Sequence, residues 1–78
     1  MSARVHVLTR RDCHLCEVAL GVVAEVCAEL GETWTEQDVD TDPALVATYG
    51  DEVPVTFVDG ERHDFWRVDA GRLRAALS

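Results

Sequence analysis

The residues of this chain best suited to chemistry are two thiols three positions apart, Cys13 and Cys16, in the run Cys13-His14-Leu15-Cys16. Side chains three apart on a helix have Cβ atoms roughly 5–6 Å apart, and a disulfide needs Cα atoms about 5.5 Å apart. The pair can therefore close and reopen without breaking the turn. At a helix start, free backbone amides and the positive end of the helix dipole favour an anion, here the Cys13 thiolate. With Cys13 at the capping position its sulfur faces the Cys16 amide, while Cys16 lies inside the first turn and is shielded. This asymmetry assigns the roles: Cys13 attacks a substrate disulfide, and Cys16 then attacks the Cys13 sulfur to release the reduced substrate.

Neighbouring residues bear on the same thiol. His14 lies between the two sulfurs, where an imidazolium would favour the thiolate and make the dithiol harder to oxidise, or else it is an idle exposed residue of the first turn. Arg10 and Arg11 place two positive charges beside Cys13, to stabilise the thiolate, to receive a substrate carboxylate, or simply to be solvated. A carboxylate at Asp12 would oppose ionisation if it faced the sulfur, and its expected role is that of a helix cap. Cys27 lies about 16 Å further along the helix than Cys16 and cannot join the pair, so it reads as a buried core thiol. His6 and His63 carry no expected ligand role. Trp34, Phe57, Phe65 and Trp66 read as core fillers or groove walls.

The elements that must position these groups follow from hydrophobic spacing. Arg4 to Thr9 holds a nearly continuous apolar run, Val5, Val7 and Leu8, of the kind carried by a buried parallel strand. Leu15, Val18, Ala19, Val22, Val23, Val26 and Leu30 recur at helical spacing, and Gly31 supplies a stop. Thr33 to Val39 reads as a second strand. Asp42-Pro43 starts a second helix running to about Tyr49, since Asp caps free amides and Pro at the first helical position has none to leave unpaired. Val53 to Val58 and Glu61 to Trp66 read as two strands joined by Asp59-Gly60, a dipeptide that favours a tight hairpin. Asp69 then caps a last helix bearing Ala70, Leu73, Ala76 and Leu77. The order is βαβαββα in one domain spanning residues 1–78, an α/β chain with a four-stranded mixed sheet flanked by helices.

Bulk properties exclude several function classes. Fifteen acidic against seven basic residues, all arginine, give a net charge of −8, which repels nucleic-acid phosphates and anionic membrane surfaces. No stretch is apolar for long enough to cross a bilayer, and the N-terminal residues lack the order of a secretory signal. Three cysteines, two of them paired in spacing, do not form the framework of a stapled secreted domain. The expected setting is a cytoplasmic monomer.

The C-x-x-C run after a strand ending in basic residues, the βαβαββα order and Val53-Pro54 before the third strand together resemble the glutaredoxin branch of the thioredoxin superfamily, especially its short single-domain members. The resemblance implies a thioredoxin fold and a dithiol–disulfide oxidoreductase with no permanently bound cofactor. It implies that Pro54 is cis and sits against the dithiol, holding the substrate backbone as an added strand. Arg10, Arg11, His14, Val53, Pro54 and Asp69 are then the candidates for binding a substrate or a glutathionyl group. The implied partners are a disulfide-containing protein or a glutathione mixed disulfide, with glutathione or a reductase as electron donor. The chain departs from the family at His14-Leu15, where glutaredoxins carry Pro-Tyr. It departs again at Phe65-Trp66-Arg67-Val68-Asp69, where they carry a Gly-Gly motif and an acidic residue that bind glutathione.

Two other readings use the same residues. Small copper and zinc carriers also place C-x-x-C at a first helix, but one such pair offers two ligands where a structural zinc takes four, so a metal or iron–sulfur cluster would need a second chain or glutathione. A non-catalytic adaptor could keep the fold and use the Pro54 groove for binding alone.

Overall fold

The computed structural model describes residues 3–78. Along the chain run β1 (Val5–Thr9), α1 (His14–Leu30), β2 (Trp34–Asp38), a single 3₁₀ turn (Val39–Thr41), α2 (Pro43–Tyr49), β3 (Val55–Val58), β4 (Glu61–Phe65) and α3 (Ala70–Leu77). The βαβαββα order is the expected one. The sheet order is β2-β1-β3-β4, with β1 parallel to β2 and antiparallel to β3, so the sheet is mixed and α1 is the crossover between its parallel pair. Asp59 and Gly60 both adopt left-handed backbone, φ 53° and 85°, which the tight β3–β4 hairpin needs and which Asp and Gly tolerate.

Alternation along β1 splits the core between the two faces of the sheet. Val5 and Val7 point to one side, where they pack with Val58 against Val23, Val26 and Cys27 of α1 and Leu73 and Leu77 of α3. Leu8 and Val55 point to the other, against Val39 and the partly buried Leu45, Val46 and Tyr49. Each fully buried Val or Leu contributes roughly 1.5–3 kcal/mol relative to exposure. The two sides differ in cover. The seven-residue α2 has no fully buried residue, and it leaves a cavity of about 670 Å³ bordered by His6, Leu8, Gln37, Tyr49 and Phe57.

Of the boundaries that depart from the sequence reading, three have a local reason. Val39 does not end β2. It is buried in the 3₁₀ turn, which Asp38 caps by accepting the Asp40 N–H at 2.9 Å. β3 begins at Val55 rather than Val53, since Pro54 has no amide to give a ladder. β4 stops at Phe65 because Trp66 turns to φ 63°. A register shift between Thr56 and Phe57 also bends the β3–β4 pair.

Because β1 and β3 are antiparallel, the end of β1 and the start of β3 lie at one edge of the molecule, which brings the Arg10–Cys13 turn and Val53-Pro54 to the same end. The opposite end is fastened by Arg4, whose guanidinium donates to both Asp59 carboxylate oxygens at 2.9 Å and to the Leu77 carbonyl at 3.0 Å. Among the described residues no helix is long and apolar enough to cross a membrane.

Candidate dithiol site

The turn after β1 sets the geometry. Asp12 adopts φ 55°, a left-handed conformation that Asp enters more readily than most residues, and Cys13 then sits in extended backbone as the N-cap of α1. The cap is therefore Cys13 and not Asp12. Its Sγ accepts the Cys16 N–H at 3.2 Å, and its carbonyl accepts the Glu17 N–H at 3.2 Å. A backbone donor is thus aimed at that sulfur at the positive end of a 17-residue helix.

Cys13 is half-buried, whereas Cys16 is 2% exposed. Burial pushes the Cys16 thiol up to about 12, the hydrogen bond to Cys13 adds to this, and an Arg10 backbone hydrogen bond opposes it. Both sulfurs are free thiols. The outer one is accessible and faces a donor, while the inner one is buried and protonated. Cys27 is 1% exposed in the core, as expected, and burial raises its thiol as well.

The remaining sequence candidates divide by place. His14 is the first helical residue and is exposed. Arg10 and Arg11 lean towards the acidic stretch before α2: Arg10 reaches Asp40 at 3.2 Å and Arg11 reaches Asp38 at 3.9 Å. Pro54 is buried and the Val53–Pro54 bond is cis. Asp69 caps α3, accepting the Arg72 N–H at 2.9 Å, so its carboxylate already has a structural task.

Sequence reasoning did not foresee the part played by Trp66. Its backbone N–H donates to the Pro54 carbonyl at 2.8 Å and to the Glu52 carbonyl at 3.2 Å, and its indole Nε1 donates to the Asp51 carbonyl at 3.0 Å. One residue thus clamps the loop that carries Val53 and Pro54. The indole also walls a groove of about 260 Å³ formed by His14, Leu15, Val18, Ala19, Arg67 and Val68. Leu15 and Val18, which helical spacing placed on the core face, are 42% and 51% exposed and line this groove instead. One signal was present: a Trp-Arg pair follows β4 where a glycine turn would be ordinary.

The profile of the Glutaredoxin-like domain (DUF836) family matches residues 4–78. This chain belongs to that family. Among relatives, the uncharacterized protein Rv0508 of Mycobacterium tuberculosis is 39% identical over 80 residues, covering 96% of this chain and 82% of its own length. The structure of protein XcR50 from X. campestris is 37% identical, with a TM-score of 0.77 over 94% of this chain and 93% of that one. A thioredoxin from Fasciola hepatica, 22% identical, superposes with a TM-score of 0.59 over 94% of this chain and 75% of that one. At that identity the likeness speaks for the fold alone. The glutaredoxin-like chain therefore has the thioredoxin fold, with its C-x-x-C at the first turn of α1.

Proposed function

We propose that this glutaredoxin-like chain is a dithiol–disulfide oxidoreductase. The observation that carries the reading is the pairing of an N-cap Cys13 sulfur, hydrogen-bonded by the Cys16 amide, with a buried Cys16 thiol one turn inside. The Cys13 thiolate attacks one sulfur of a substrate disulfide, so that a Cys13–substrate disulfide forms and the other substrate sulfur leaves as a thiolate. Cys16 then gives up its proton and attacks the Cys13 sulfur. The internal disulfide forms, the second substrate thiol leaves, and two electrons have passed from the chain to the substrate. A low-molecular-weight thiol such as glutathione, or a thiol reductase, returns the two electrons.

The raised Cys16 thiol supports this order of events, because an inner sulfur that stays protonated does not compete with Cys13 for the first attack. The test is trapping. Cys16→Ser mixed with a disulfide substrate is expected to accumulate a Cys13 mixed disulfide, seen as an adduct by intact-mass spectrometry, while Cys13→Ser accumulates none. Equal trapping by both variants would overturn the assignment of roles, and trapping by neither would overturn the exchange itself.

A further inference from the structure

We propose that the groove beside the dithiol selects protein disulfides whose reacting cysteine is neighboured by a large apolar side chain and a carboxylate. The proposal rests on the dithiol exchange above and names its substrate class.

The groove touches the site from two directions. It starts at His14, the residue after Cys13, and its far wall is Trp66, whose N–H is bonded to the Pro54 carbonyl. Three large apolar side chains, Leu15, Val18 and Trp66, converge on it at 42%, 51% and 52% exposure. A chain of 78 residues with a thin core leaves such groups in water at one place only at a cost in stability, and converging exposed apolar groups mark an interaction surface. The volume, about 260 Å³, falls below the roughly 300–1,000 Å³ of sites for drug-sized ligands and suits one side chain of a larger partner.

Trp66 is built to hold still. Left-handed backbone is uncommon and strained for a bulky residue, and three hydrogen bonds to residues 51–54 keep it there. A rigid aromatic wall takes an apolar side chain with little loss of freedom on binding.

Charge supplies the second half of the specificity. Six of the seven arginines have a carboxylate within 4 Å: Arg4, Arg10, Arg11, Arg62, Arg72 and Arg74. Among the described residues Arg67 has none, and it is the arginine that lines the groove. The net charge of −8 draws basic partners at long range, but a guanidinium at the groove is within contact distance of a bound peptide and pairs there with a carboxylate.

The experiment uses the reduced full-length chain in single-turnover reactions with five disulfides: bis(2-hydroxyethyl) disulfide, and four symmetric peptide disulfides in which cysteine is flanked by Leu or Gly before it and Glu or Lys after it. Loss of chain thiols, followed by alkylation and mass spectrometry, gives each second-order rate constant. The Leu/Glu peptide is expected to react at least ~10-fold faster than the Gly/Lys peptide, within the span that an apolar pocket can discriminate. Arg67→Glu is expected to invert the Glu-to-Lys ratio, and Val18→Ser to shrink the Leu-to-Gly ratio. Equal constants for the four peptides, with the hydroxyethyl disulfide still reduced, would overturn the groove's role and leave the exchange standing. Failure to reduce any of the five would overturn the exchange. Because each ratio is read within one protein, the four wild-type constants decide the proposal even if a variant does not fold.

Discussion

At the first turn of α1, Cys13 stands half-buried as the cap, with Cys16 at 2% exposure beneath it; some three turns beyond Cys16, Cys27 is 1% exposed among Val5, Val7, Val26 and Leu73. Burial raises both inner thiols, so burial does not distinguish them. The difference lies in what covers each sulfur. Cys16 is covered in part by another sulfur that can form a bond with it, and Cys27 by hydrocarbon that cannot. The backbone differs too. The start of α1 leaves an amide free to donate to a side chain, while the C-terminal turn is closed by Gly31 at φ 69°, its N–H and that of Glu32 both donating to the Cys27 carbonyl. One end of the helix is left open for chemistry and the other is sealed.

The sharpest way to break this comparison is to remove the sulfurs in turn. Cys13→Ser is expected to lower disulfide exchange by at least ~10³-fold, as loss of a nucleophile does. Cys27→Ser should leave the exchange rate within about twofold while costing about 1–3 kcal/mol in urea unfolding, because a hydroxyl replaces a thiol in an apolar site. Comparable loss of exchange in both variants would erase the distinction between the two ends. A smaller effect is expected at the sealed end. Gly31→Ala places a side chain in left-handed backbone, where open space surrounds the new Cβ, so the cost is backbone strain alone, about 1 kcal/mol by the same unfolding measurement.

The pH dependence should be the mildest signal. Below the ordinary thiol value of 9.0, Cys16 and Cys27 are protonated in folded and unfolded chains alike, so the stability gained by burying them is fully present. Above it the unfolded chain releases protons that the folded chain still holds. Stability then drains as pH rises towards the raised folded values, about 12 for Cys16. Thermal scans between about pH 8 and about pH 10 should therefore show a falling Tm. The fall should be shallower in Cys27→Ser, and an unchanged slope there would mean that the helix interior does not hold its thiol protonated.

Much of this was legible because it is local. The caps at Asp42 and Asp69 and the Asp59-Gly60 turn each depend on a few adjacent residues, and the structure contains all of them; at α1 the same local rules offered both Asp12 and Cys13 as the cap, and the structure takes Cys13. What stayed hidden depends on residues brought together by the fold. Arg10 and Arg11 meet Asp40 and Asp38 across roughly thirty positions, so nothing near them in sequence announces the pairing. Trp66 looked like the last residue of a strand, since aromatic residues favour strands, and only its bonds to the loop of residues 51–54 explain the left-handed turn. Leu15 and Val18 fit the helical stripe, yet they flank the strip that is covered at that end, where Cys16 and Ala19 are buried. Periodicity reports which side of a helix is apolar, not how wide a strip of it a neighbour covers.

The shortness of α2 has a consequence for how the molecule opens. A seven-residue helix with no fully buried residue, beside a cavity of about 670 Å³, has little to lose by unwinding, so it belongs at the low end of the local stability scale. The 3₁₀ turn that leads into it carries Asp40, which holds Arg10 on the turn before Cys13. Fraying of this segment would release that arginine from its carboxylate with no motion of the sheet. The amides of residues 44–49 are then expected to exchange with solvent well ahead of those in α1, and the segment that unwinds first follows directly on the carboxylate that holds the arginine three residues before Cys13.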